Sequence, residues 1–166
     1  MQNNLLLRRI RLCVGIMIFG LVVAGATAIP LESELDFLAG FFGLGQWTPE
    51  PANSPFAHWL LKIRAGLHDV NQRYPFMAYG TDWLAFGHFV IAIAFIGAWR
   101  DPARNRWLFD FGLIACGLVI PYAMIFGSLR GIPFWWRCID CSFGLIGLIP
   151  LYFARRYTLL LEACQG

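Results

Sequence analysis

The tetrapeptide Cys138-Ile139-Asp140-Cys141 carries the most definite chemistry in this chain. Two thiols three positions apart share one face of a helix, the arrangement that thiol–disulfide exchange uses. At a helix start the exposed amides, together with Arg137, would favour the reactive thiolate, and Asp140 would oppose it. The same residues also suit small packing thiols. A second set lies at the same level of the predicted architecture: Asp82 and His88, Ser128 and Arg130, then Trp136, Arg137 and Asp140. Ionisable groups near a hydrocarbon boundary are costly unless paired or wetted, so a shared polar cavity is expected there. His88 would transfer a proton, or donate a hydrogen bond to a headgroup or quinone carbonyl, while Arg130 and Arg137 attract an anion. A purely structural assignment makes Arg137 and Asp140 an i, i+3 pair, Arg130 a partner of Asp82, and His88 an interhelical hydrogen bond. The catalytic candidates are thus His88, Asp82, Cys138 and Cys141. The ligand-binding candidates are Asp82, His88, Arg130, Trp136, Arg137 and Asp140.

Other chemistries fit poorly. His88 is the one histidine within a predicted span, so a haem held by two histidines cannot be built from one copy of the chain. His58 and His68 sit ten positions apart on an amphipathic segment and point differently, and no metal site is expected. Asp110 has Arg106 four residues before it and reads as half of an ion pair. The net charge of +3 comes from arginines in short clusters beside apolar segments, with no basic stripe, which sets nucleic acid aside.

The elements that position these residues are apolar. Residues 12–29, 83–99, 107–128 and 141–153 form four stretches of about 13 to 22 residues, the lengths that bracket a bilayer-crossing helix. With 58% hydrophobic residues, 16% aromatic residues and a mean hydropathy of +0.60, a chain of 166 residues is too apolar for an ordinary soluble domain. A single all-α membrane domain, an integral four-helix bundle, is expected over residues 1–166. Arg8, Arg9 and Arg11 precede the first stretch, Arg100, Arg104 and Arg106 join the second and third, and Arg155 and Arg156 follow the fourth. The positive-inside rule then puts both termini in the cytoplasm. Trp47, Trp59, Trp83, Trp135 and Trp136 fall on the outer side, Trp99 and Trp107 on the inner side, as two aromatic belts. The N-terminal stretch, with Ala26-Thr27-Ala28 at its end, also satisfies the pattern of a cleavable signal peptide; Gly20, Ala24 and Ala28, one turn apart, suit a retained packing face instead.

Residues 31–79 form an outer insertion. Its first section opens with Pro30, Glu32, Glu34 and Asp36, as a helix start prefers, and is too short to span. Pro49, Pro51 and Pro55 break the chain. Ser54-Pro55 then caps a second, amphipathic helix with Phe56, Trp59, Leu60, Ile63, Leu67 and Val70 at helical spacing and His58, Lys62, Asp69 and Arg73 in other directions. Small residues mark the expected helix contacts: Thr81, Ala85 and Ala92, then Gly112 and Gly117, then Gly144 and Gly147. Pro121 and Pro150 should bend their helices or lie near their ends.

In topology and in the position of its C-x-x-C the chain weakly resembles the vitamin K epoxide reductase and DsbB-like quinone-linked disulfide formers. It departs from them in having no cysteine among residues 31–79, where a second pair would relay electrons. The string from Tyr79 to His88, Arg100-Asp101-Pro102, Arg130-Gly131-Ile132-Pro133 and residues 139–144 resemble a group of small bacterial four-helix inner-membrane proteins. That resemblance covers about the C-terminal half and implies a membrane bundle with no assigned activity. Two classes of function follow. The first is a non-enzymatic or accessory protein that binds a membrane lipid, a quinone-like molecule or a partner membrane subunit at its outer leaflet. The alternative is an enzyme using the same site, for thiol–disulfide exchange at Cys138 and Cys141 or acid–base chemistry at His88.

Overall fold

The computed structural model describes residues 2–44 and 54–164, all of whose regular structure is helical. The order is α1 (Gln2–Ala28), α2 (Leu31–Phe41), α3 (Pro55–Arg73), a 3-10 turn (Pro75–Ala78), α4 (Tyr79–Arg100), α5 (Arg106–Leu129) and α6 (Phe134–Ala163). Four helical stretches are long and apolar enough to cross a membrane: Asn3–Ala28, Pro75–Arg100, Arg106–Leu129 and Phe134–Ala163. They coincide with the four expected stretches but overrun them. Hydropathy stops at polar or aromatic residues such as Tyr79, Asp82 and Arg137, whereas the helical hydrogen-bond ladder continues through them. The largest correction falls on α6, whose 30 residues start seven positions before the expected 141 and end ten positions after the expected 153. Pro121 and Pro150 lie inside α5 and α6, which run on past them. Trp47, Pro49, Glu50 and Pro51 lie outside the described residues.

The chain divides into two compact units, residues 1–21 with 90–166, and residues 22–89. In the first, α1 supplies Leu6, Ile10 and Val14, α4 supplies Phe95 and Ala98, α5 supplies Phe109, and α6 supplies Leu151, Ala154 and Leu161 to one buried apolar cluster. Glycine permits the close approaches. A β-carbon on Gly144 would lie 2.6 Å from the Cys116 carbonyl oxygen, and one on Gly112 would meet Leu151 at 2.8 Å and Phe95 at 3.3 Å. Gly147 faces Cys116 Sγ. Gly117, by contrast, has open space around it and is not a contact residue.

The arginines of this unit gather the ends of its helices. Arg106 pairs with Glu162 at 2.9 Å, Arg155 pairs with Asp110, and Arg11 lies 5.2 Å from the Trp99 ring centroid while donating to its carbonyl. Asp110 is therefore paired across helices with Arg155 and not with Arg106 four residues before it. Asn105 closes the α4–α5 connection by donating to the Gly97 and Asp101 carbonyls. At the far end of α5, Gly131 at φ +70° lets the Ile132 amide reach the Gly127 carbonyl and its own amide reach Ser128, a Schellman closure that leads into Pro133 and α6.

In the second unit, Gly25 of α1 lies against α4. A β-carbon there would be 3.0 Å from the Ala85 carbonyl oxygen and 3.2 Å from His88 Cβ. Gly25 thus carries the contact expected of Gly20, which has open space, and of Ala24, which is exposed. The α3 start forms as expected, with Pro55 in the first turn and Ser54 Oγ accepting from the Ala57 amide at 3.1 Å.

Candidate ligand site

Within residues 22–89, α2 and α3 pack along complementary stripes. Glu32, Leu35, Asp36 and Ala39 share one face of α2, and Ala57, Leu60, Arg64, His68 and Asn71 share one face of α3 at i, i+3 and i+4 spacing. Leu35, Ala39, Ala57 and Leu60 bury the apolar part of the seam. Arg64, only 9% exposed, donates through Nε to Asp36 Oδ1 at 2.6 Å. A buried guanidinium needs such a partner. The opposite face of α2 presents Phe37 and Phe41, the most exposed large apolar side chains of that helix.

One turn further along the seam, Glu32 is held by two donors. His68 Nδ1–H donates to Oε1 at 2.6 Å, and Asn71 Nδ2–H donates to Oε2 at 2.7 Å. Gln72 Nε2 lies 2.7 Å from His68 Nε2, and since an amide nitrogen only donates, the imidazole nitrogen accepts. These hydrogen bonds, from Asn71 first and then His68, hold the Glu32 carboxyl below its ordinary pKa. The amide of Asn71 is oriented by the same chemistry: turned over, its oxygen would face the carboxylate. Its Oδ1 is therefore left as a buried acceptor without a donor among the described residues.

Beside this network is a cavity of about 370 Å³ between the α1–α2 connection, the end of α3 and the 3-10 turn leading into α4. Its apolar wall includes Ile29, Leu31, Leu67, Val70 and Met77, and its polar side chains are Glu32, Ser33, Asn71 and Thr81. Thr81 Oγ1 donates to the Ala78 carbonyl at 2.6 Å. Apolar walls with a few convergent polar groups are the usual make-up of a small-molecule site.

The residues singled out from sequence are placed as follows. His88 donates through Nδ1 to the Leu84 carbonyl of its own helix at 2.8 Å, in place of the expected interhelical hydrogen bond; its Cβ lies 3.2 Å from where a β-carbon on Gly25 would be, and it lines neither described cavity. Asp82, exposed, borders a shallow groove of about 210 Å³ with Tyr79, Trp83 and Phe86, whose rings meet edge to face. In the other unit, Arg137 lies across Gly127, where a β-carbon would be 2.5 Å from its Cδ. It donates through Nη1 to the Met124 carbonyl at 3.2 Å and stands over the Phe134 ring, while its Nε is buried without a partner among the described residues. The expected Arg137–Asp140 pair is thus replaced by a contact with the α5 backbone. Trp136 stacks edge to face on Trp135, Arg130 ends α5 as an exposed residue, and Asp140 is half-buried. Cys138 is exposed and Cys141 buried, its Sγ 4.0 Å from the Ile120 carbonyl oxygen, and both are free thiols. Because α6 starts at Phe134, the pair lies beyond its opening turn, where the expected helix-start stabilisation fades.

No group of three metal-ligating side chains occurs among the described residues. Sequence reasoning passed over Glu32, Arg64, His68 and Asn71 as a set. The signal was present in the matched stripes, since an arginine and an asparagine continue the Ala57–Leu60 face opposite two carboxylates. No protein-family model, curated protein or solved structure matches the chain.

Proposed function

We propose that this chain is a multi-pass inner-membrane protein that binds an amphiphile, a lipid or quinone-like molecule, in the cavity beside Glu32 and Asn71. The observation that carries the reading is that cavity itself, which joins an extended apolar wall to a held carboxylate. In this reading α1, α4, α5 and α6 cross the bilayer, and the arginine-rich ends of the first unit lie in the cytoplasm with both termini. The arginines beside those ends, Arg8, Arg9 and Arg11, Arg100, Arg104 and Arg106, and Arg155 and Arg156, support that side assignment. The insertion then occupies the outer interface, where Phe37 and Phe41 of α2 enter lipid and the Asp82 groove, ringed by Tyr79, Trp83 and Phe86, anchors the start of α4.

The test is purification in mild detergent followed by mass spectrometry of everything retained. A defined amphiphile is expected on the wild-type protein and lost on Val70→Trp, which fills the cavity from α3 while circular dichroism keeps its helical signal. A wild-type protein that retains a polypeptide and no specific small molecule would overturn the reading in favour of an accessory subunit.

A further inference from the structure

The polar character of the cavity is one-sided. Among the described residues that line it are one carboxylate, two hydroxyls and one carboxamide, and no lysine, arginine or histidine. On α3, Arg64 is engaged with Asp36 and Arg73 with Asp69. His68 is turned away from the cavity lining, its Nδ1 spent on Glu32 and its Nε2 on Gln72, and the hydrogen bonds that Glu32 receives favour its charged carboxylate. Asn71 spends its donor on Glu32, and the hydroxyl of Thr81 spends its proton on the Ala78 carbonyl. What the wall offers a ligand is therefore mostly acceptors, around a single negative charge with one-third of its side chain exposed.

We infer that the cavity selects a primary ammonium headgroup, held by an ion pair and N–H hydrogen bonds to Glu32. The inference rests on the proposed amphiphile-binding role of the cavity and names its ligand class. An anionic headgroup would bring like charge to Glu32. A quaternary ammonium has no N–H to donate and is held elsewhere by aromatic faces, and no aromatic ring lines this cavity among the described residues. A primary ammonium matches the carboxylate, leaves further N–H groups for neighbouring oxygens, and carries its apolar portion along Leu67, Val70 and Met77.

Three photo-crosslinking phospholipids with identical acyl chains and phosphoethanolamine, phosphocholine or phosphoglycerol headgroups would be offered to the protein in nanodiscs, and the labelled residues mapped by mass spectrometry. Labelling within residues 67–81 should favour phosphoethanolamine by about tenfold, as one charge-assisted hydrogen bond predicts. The preference should vanish in Glu32→Gln. Because Glu32 also ties α2 to α3, Ser33→Lys supplies a second variant: it sets a competing ammonium at an exposed wall position and should abolish the preference with the thermal melt unchanged. Competition by chain-free glycerophosphoethanolamine would assign recognition to the headgroup alone, and its failure, with the lipid preference intact, to the lipid-borne ammonium. Equal labelling by all three lipids would overturn the ammonium inference and leave amphiphile binding standing. Absence of labelling in 67–81 by any of them would overturn both.

Discussion

The two compact units of this chain handle polarity in opposite ways. In residues 1–21 and 90–166, Asp110 and Glu162 meet arginines directly, and helices approach closely over Gly112, Gly144 and Gly147. In residues 22–89, Asp36 also meets an arginine, but Glu32 is held by His68 and Asn71, and a cavity stands next to it. The contrast teaches that close packing and a charge left available to a ligand are separate uses of the same residue types. An arginine opposite a carboxylate ends its electrostatic availability; an amide and an imidazole fix its position and leave its charge in place.

The sharpest way to break the comparison is at the glycines. Gly144→Ala places a methyl group 2.6 Å from a backbone carbonyl that cannot swing aside, so α5 and α6 must separate, and the unit should lose about 1–3 kcal/mol. Gly117→Ala, on the same pair of helices but in open space, should gain up to about 1 kcal/mol from helix propensity. Melting temperatures in one detergent would compare the two, and a destabilisation of equal size at both sites would show that close approach at Gly144 does not set the stability of the first unit.

Next in size is the seam. Asp36→Ala strands the largely buried Arg64, but Asp36 is itself nearly half exposed, so the cost should be about 1–2 kcal/mol and not that of a fully buried pair. Hydrogen exchange should report it as faster exchange in α2 and α3. The paired change Asp36→Leu with Arg64→Met should recover most of the protection, since it removes both charges together.

The smallest effect concerns pH. Because the folded state holds the Glu32 carboxyl below its ordinary pKa, its contribution is fully present above that ordinary value and disappears as pH falls through the lowered one. Protection of the α2 amides should therefore decline only toward strongly acidic pH, and Glu32→Gln should flatten that part of the profile. A decline centred well above the ordinary carboxylate range would point to another group.

Much of the architecture was legible because hydropathy and caps are local signals. The four apolar helices, the Ser54-Pro55 start and the small contact residues Ala85, Ala92, Gly112, Gly144 and Gly147 follow from spacing alone. The helix ends were less legible, since Phe134 to Arg137 continue α6 without continuing its hydropathy. Partner choice was not legible from neighbours in sequence: Asp110 selects Arg155, 45 positions away, over Arg106, and Arg137 turns to the α5 backbone in place of Asp140. Glu32 read as a favourable charge at a helix start, which it is. Its second role depends on Asn71, whose significance appears only once α2 and α3 are laid side by side.

The apolar cluster of the first unit draws on the first helix of the chain and on the last. Ile10 and Val14 are fully buried in the cluster they share with Leu151, Ala154 and Leu161. During synthesis α1 emerges well before α6, so the newborn chain carries an unfinished core until α6 follows. Emergence of α6 becomes the event that completes it, and a chain interrupted before α6 would leave the Ile10 and Val14 side of α1 without its α6 partners.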